Sequence, residues 1–297
     1  MIWLPATLLA GLFQAWRTAV QQRLRAELSV NAAGLVRYLY GLPIACVLLA
    51  LYIAVRGQSV PDPSPAFWGY AAAAGLAQIL GTNLLIMAFG YRNYVVGTAY
   101  AKTEAVQGAI LAMILLREML SVLTWAGIAI GVAGVLIISA RGERLHWRQI
   151  AQPAALCGLG AGFCFAMTSI FVKSATHVVE TDDLVLAALT VLVAVIGLQV
   201  LMQGGYVALR EADSIPKVVR SWRVSGQVGL LAALGSACWF TGFATAPVAL
   251  VRAVGQVEIL FTFGFGRYYL REAVTRSEVV GVVIVAIGVI LALLGAI

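Results

Sequence analysis

With 297 residues, 62% of them hydrophobic and 11% charged, the chain carries less than half the charge of an ordinary soluble domain, where about 25% is usual. Such a composition cannot clothe a water-facing surface, so most of the chain must be solvated by lipid. The net charge of +7 comes from basic residues set mostly between apolar runs, which excludes a nucleic-acid partner and points to loop anchoring and membrane orientation.

About 20 apolar residues cross a bilayer. Runs of that kind predict ten spans, at roughly 2–23, 31–54, 66–90, 94–115, 121–140, 153–174, 184–206, 226–246, 248–268 and 276–296. The expected fold is an all-α integral membrane protein with ten transmembrane helices. The first run has no basic stretch before it and continues into a polar face, so it reads as a retained span and not as a cleaved signal. Most connections are short. The longer ones are 55–65, with Pro61, Pro63 and Pro65, and 207–225, with Arg210, Lys217, Arg220 and Arg223. A basic segment, 141–152, with Arg141, Arg144 and Arg148, joins a first half, 1–140, to a second, 153–297. Cys46, Cys157, Cys164 and Cys238 lie inside apolar runs and read as small core residues. Neither they nor His146 and His177 have ligand spacing, so no metal and no cofactor is expected.

The halves carry matching residues. Glu258 follows Glu104 by 154 positions, and at the same offset Leu270-Arg271-Glu272 matches Leu116-Arg117-Glu118, Gly281 matches Gly127 and Gly288 matches Gly134. Val285 stands opposite Gly131. Gly75, Gly81 and Phe89 match Gly229, Gly235 and Phe243 at that offset too. Ala10-Gly11 and Ala15 resemble Ala161-Gly162 and Ala166 at an offset of 151, the shift that a small loop insertion gives. Five spans per half is an odd number, so the halves enter the membrane from opposite sides. That is an inverted repeat, a plan common among secondary transporters.

The five-plus-five arrangement, Arg37 opening the second span with Pro43 after it, and a glutamate-bearing turn before a Gly-x-x-x-x-x-x-Gly helix in both halves resemble the drug/metabolite transporter superfamily, EamA type. The resemblance covers essentially the whole chain and implies a ten-helix transporter. One departure is local. Where the family often has proline, thirteen residues before the turn glutamate, this chain has Ala105 and Ile259, each directly after a glutamate.

Six ionisable residues fall within spans: Arg17, Arg37, Lys102, Glu104, Arg252 and Glu258. A central charge costs about 2.5–3.5 kcal/mol on insertion scales, so each needs a partner or a task. Glu104 and Glu258 lie near span centres. They either pair with basic residues and hold helices together, or line a wet cavity and bind a proton or a cationic group. Gln14, Arg17, Thr18 and Gln21 recur at helical spacing and form one polar face of the first span. Gln78 and Thr82 share a face in the third span, with Asn83 alongside; Tyr100, Glu104 and Gln107 share one in the fourth. Arg252 and Gln256 share one in the ninth. Interhelical hydrogen bonding is the plainer role for Asn83 and Gln107. Arg17 suits a carboxylate or phosphate. Lys102 lies about 200° around the helix from Tyr100, so Lys102 and Glu104 need not share a face. Tyr100 and Trp239 are candidates for an apolar part of the solute, with core or lipid packing as the alternative. Glu118 and Glu272 read as charge compensation at helix N-termini, and Gly127-x-x-x-Gly131 as a close helix contact, within the monomer or in a homodimer.

Four intramembrane cations against two anions favour an anionic or zwitterionic solute. The expected substrate-binding set is Glu104, Glu258, Arg17, Lys102, Arg252, Gln14, Gln78, Tyr100 and Trp239. Gly158, Gly160 and Gly162 lack the Lys-Ser/Thr of a phosphate loop, so energy is expected from a solute or proton gradient. A flippase for a charged lipid headgroup is the alternative. An intramembrane enzyme would need a nucleophile–base or metal constellation, and no span holds a histidine. Loops on one side of the ten-span plan, with adjoining span ends, carry thirteen basic residues; the other side has three, Arg56, Arg117 and Lys173. The positive-inside rule then puts both termini outside. The family resemblance implies both inside; the charge count, read from this chain, is preferred.

Overall fold

The structure is a computed structural model that describes residues 2–21, 28–90, 100–140, 152–268 and 276–296. The second copy of the turn, Leu270-Arg271-Glu272, lies outside them, as do Arg23, Arg25, Arg92, Arg141, Arg144 and Arg148 of the orientation count. Among the described residues the regular elements are helical: α1 (Trp3–Gln21), α2 (Val30–Leu39), α3 (Gly41–Arg56), α4 (Pro65–Gly90), α5 (Glu104–Leu115), α6 (Val122–Ala140), α7 (Pro153–His177), α8 (Leu184–Arg210), α9 (Ile215–Arg220), α10 (Trp222–Thr245), α11 (Val248–Gly255), α12 (Glu258–Tyr268) and α13 (Arg276–Leu294), with a 3-10 turn at Ala212–Ser214.

Among the described residues, six helical segments are long and apolar enough to cross a membrane: Val30–Arg56, Pro65–Ala88, Pro153–His177, Leu184–Arg210, Trp222–Thr245 and Val248–Phe265. Glu104–Leu115, Val122–Ile138 and Val279–Leu294 are shorter apolar helices. The polar face of Gln14, Arg17, Thr18 and Gln21 dilutes the 19 residues of α1. Large apolar side chains stand open, Leu201 at 72% and Ile114 at 63% exposure. Water would not tolerate so much exposed apolar surface, and the chain is a multi-pass integral membrane protein.

Three expected single spans are broken. The second divides at Tyr40 because Pro43 lacks an N–H and its ring crowds the carbonyl four residues back, at Leu39. The fourth and ninth break just ahead of Glu104 and Glu258, where α5 and α12 begin.

The described fold falls into two compact units, and each takes one segment that begins in the first half of the chain and one from the second half. One comprises Met1–Ile79 and Phe171–Ala246; the other comprises Leu80–Ile170 and Pro247–Ile297. In the first, α1 packs along α10, and α8 packs on α2, α3 and α10. The bend between α2 and α3 rests on Gly229, where a Cβ would lie 2.5 Å from the Tyr40 carbonyl carbon. Asp183 caps α8, its Oδ1 accepting from the N–H groups of Val185 at 3.0 Å and Leu186 at 3.2 Å. Tyr52 donates its hydroxyl to Asp183 at 2.9 Å, and Arg56 of the same α3 stands 3.6 Å from it.

In the second unit α6 and α13 pack along their lengths, and α5 packs on α11. Gly127 lies against Gly288 and Ala292, and Gly134 against Gly281 and Val285. A Cβ on Gly134 would come 2.7 Å from the Val285 nitrogen and 2.8 Å from the Gly281 carbonyl oxygen. The contact expected of Gly127 and Gly131 is therefore made within the chain. Ala105, Ala109, Ile128, Val132, Ala249, Ala253 and Ala292 form a buried cluster beside it. Small side chains let these backbones approach where lipid supplies no hydrophobic drive between helices.

Two predictions follow from these contacts. Gly134→Leu should lower the thermal midpoint of the purified protein, by at least the about 1–3 kcal/mol of ordinary overpacking. Gly69→Leu, where an added Cβ meets nothing within 4 Å, should leave it nearly unchanged. Equal midpoints for the two variants would count against the close α6–α13 contact. Burial alone would raise the Asp183 carboxyl pKa, but the Leu186 N–H, the Tyr52 hydroxyl, the Val185 N–H and the Arg56 charge outweigh it and hold the group below its ordinary value. A depressed folded pKa contributes stability above the unfolded pKa, and that stability is lost as pH falls through the folded pKa. Asp183→Ala should cost about 1 kcal/mol of cap energy at neutral pH. Asp183→Asn keeps an acceptor, and its deficit against the wild type should shrink as the pH drops below about 4. Thermal melts of the three proteins across that range read both effects.

Candidate functional site

Glu104 and Glu258 are each the first residue of a helix that follows a break. At the first break Thr103 N–H donates to the Tyr100 carbonyl at 3.1 Å; at the second, Val257 N–H donates to Val254 at 3.0 Å. Both are tight three-residue closures. Thr103 diverts its hydroxyl to the Tyr100 carbonyl at 2.6 Å and makes no side-chain cap. The open N–H groups of α5 thus face the Glu104 carboxylate's own end of the helix, where a negative charge is favoured by about 0.3–1 kcal/mol. Gly162 of α7 lies against this break, since a Cβ there would sit 3.0 Å from the Ala101 carbonyl oxygen.

The two carboxylates meet cations from the opposite half of the sequence. Lys102 Nζ lies 3.2 Å from Glu258 Oε2, and Arg252 Nη1 lies 3.3 Å from Glu104 Oε1. The Lys102 ammonium also feels the charges of Glu104 and Arg252, so the four groups form one electrostatic set with no net charge. Arg252 is fixed further: its Nε donates to Ser169 Oγ at 2.8 Å and its Nη2 to the Phe165 carbonyl at 2.8 Å. Ser169 in turn donates to that carbonyl at 3.1 Å. The Arg252 side chain is only 10% exposed, while that of Lys102 is 26% exposed. Lys102 is therefore the more accessible cation of the four-residue set.

The remaining expected site residues are distributed between the units. Tyr100 lies at the first break, with Lys102 and Glu104. Gln14, Arg17, Gln78 and Trp239 belong to the other unit, where Gln14, Gln78 and Trp239 bond to neighbouring side chains. Trp239 donates its indole N–H to Gln14 Oε1 at 3.0 Å and stacks on Phe243. Gln199 donates to Gln78 Oε1 at 2.8 Å. Trp239 is buried, at 8% exposure.

Three features escaped the sequence reading. Ser169 is one of four hydroxyl residues in a largely apolar helix, and nothing in its own periodicity marks it as the seat of Arg252. Gln256 stands 154 positions after Lys102, at the second break. Neither of its amide atoms has a hydrogen-bond partner among the described residues, and it lies against Gly131. Glu118 compensates a helix N-terminus far away in sequence, that of α11. Its carboxylate accepts from Val248 N–H at 3.1 Å and Ala249 N–H at 3.5 Å. Pro247 precedes α11 and supplies no side-chain cap, which leaves those donors to a residue from far away in sequence. The charged pattern of the turn was visible, but its partner was not.

A crystal structure, described only as that of a protein, is similar over 98% of this chain and 98% of its own, with a TM-score of 0.75 and 15% identity. At that identity the likeness concerns the fold alone. The profile of the EamA-like transporter family matches residues 1–140 and 152–294. Apolar helices, charges paired at helix breaks and a family match over nearly the whole chain agree: this chain belongs to the EamA-like transporter family, and is a membrane transporter of the drug/metabolite type.

Proposed function

We propose that the chain is a secondary transporter of a small zwitterionic or anionic organic metabolite in a bacterial inner membrane. It works by alternating access between two inverted five-helix repeats, 1–140 and 153–297. Several observations support the repeats. The family profile matches in two stretches of like length. Both glutamates open a helix after a break. Gly127 faces Gly288 while Gly134 faces Gly281, the reciprocal exchange of partners that a two-fold relation gives.

The observation that carries the substrate class is the neutral set of Lys102, Glu104, Arg252 and Glu258. A solute carboxylate can displace Glu258 from Lys102, and a solute ammonium can then take up the freed glutamate. Each charge keeps a partner throughout, which a poorly solvated site demands. Proton exchange at Glu104 or Glu258 belongs to the same proposal, as the means of coupling.

Ligand binding to the folded state raises the thermal midpoint by mass action. A thermal-shift screen of amino acids, organic anions and amines should find stabilisers among the first two classes; stabilisation by amines alone would overturn the assignment. In proteoliposomes loaded with a stabilising compound, Glu104→Gln or Glu258→Gln should lower transport roughly tenfold or more, and should flatten its dependence on pH. A single substitution leaves a cation unpaired and can cost about 3–5 kcal/mol. The double variant Lys102→Gln with Glu258→Gln restores neutrality, so it should fold and still fail to transport. Normal transport by that double variant would sink the proposed site.

A further inference from the structure

The segment after α8 is built as an amphipathic element and is held in place. Glu211 accepts from the Ser29 hydroxyl and from Asn31 Nδ2, the latter at 2.6 Å. Val218 is buried against Ala32, Val36 and Val228. The Tyr40 hydroxyl donates to the Val218 carbonyl at 3.0 Å. At about 100° per residue, Ile215, Val218 and Val219 occupy one arc of α9 and Lys217 and Arg220 the opposite one; Trp222 and Arg223 open α10 just beyond the turn at Ser221. The fold covers only Val218. Val219 is 60%, Trp222 59% and Ile215 40% exposed, and Leu209 at the end of α8 is 86% exposed. The Arg223 guanidinium lies 5.5 Å from the centre of the Trp222 ring.

Charge decides what covers this arc. Residues 210–223 hold four cations, Arg210, Lys217, Arg220 and Arg223, against two carboxylates. One of those, Glu211, is occupied by Ser29 and Asn31; Asp213 remains exposed. The element follows directly from a membrane-spanning helix, so the surface next to it is the bilayer. We propose that residues 215–223 lie in the headgroup layer and bind anionic phospholipid. Lys217, Arg220 and Arg223 would contact phosphates, while Ile215, Val219 and Trp222 enter the boundary with the acyl chains. Tryptophan beside basic side chains is suited to that layer, and an amphipathic helix with a basic polar face binds anionic lipid in this way. This inference rests on the membrane fold and not on the proposed solute.

The test uses the full-length protein in nanodiscs of phosphatidylcholine with or without phosphatidylglycerol, one lipid at a time carrying bromine on its acyl chains. Brominated phosphatidylglycerol should quench tryptophan fluorescence more than brominated phosphatidylcholine does. Trp222→Phe should remove most of that difference. Each basic side chain near an anionic surface contributes about 1 kcal/mol. Combining Lys217→Gln, Arg220→Gln and Arg223→Gln should therefore weaken the preference for phosphatidylglycerol roughly a hundredfold. Rising salt should erode the wild-type preference, a readout that needs no variant. Equal quenching by both lipids would overturn the proposal, as would an unchanged preference in the triple variant or indifference to salt.

Discussion

Lys102, Glu104, Arg252 and Glu258 lie in helices that lipid surrounds, where a lone charge is costly and water is not at hand to relieve it. Each has to reach an opposite charge, and the ion pairs join the two halves of the sequence. Lys102 reaches Glu258 and Arg252 reaches Glu104. These contacts tie segments some 150 positions apart into one compact unit, which also depends on Ser169 and the Phe165 carbonyl to hold the Arg252 fork. The helix breaks belong to the same arrangement. Each break frees backbone donors at the start of α5 or α12, and each places a glutamate there, so the open helix end and the carboxylate favour one another.

Close backbone contact is the second requirement. In hydrocarbon, helices gain little by hiding apolar side chains from a solvent that is itself apolar. They gain from touching over many atoms, and glycine and alanine permit that. Gly127 and Gly134 against Gly288 and Gly281 bring α6 and α13 within reach of each other's backbones. The alanine cluster of Ala105, Ala109, Ala249 and Ala253 continues the same contact towards the ion pairs. Glu118 is a further tie of this kind: its carboxylate satisfies donors at the start of α11 that Pro247 cannot.

The other unit meets its polar requirements mainly with hydrogen bonds, alongside the Arg56–Asp183 ion pair. Gln199 with Gln78, and Trp239 with Gln14, settle amide and indole groups between helices. Asp183 and Glu211 secure the two ends of α8, one through Tyr52 and Arg56, the other through Ser29 and Asn31. Side chains proposed for solute contact in this unit are thus engaged with the protein's own groups. In the proposed function the ion-paired set, with its more open Lys102, supplies the counter-charges for the solute.

The sequence by itself determined the membrane class, because 62% apolar content leaves too little polar surface for water. It also determined the helical runs, the matched glutamates and glycines 154 positions apart, and the short list of charges that had to be explained. Which charge meets which was decided by tertiary structure. A helical period orders the faces of one segment; it holds nothing about how that segment crosses another from the far end of the chain. The same reason hid Glu118 as the cap of α11 and Ser169 as the seat of Arg252. The breaks before Glu104 and Glu258 were hidden too, since hydropathy runs on unchanged through a turn whose backbone groups are satisfied locally.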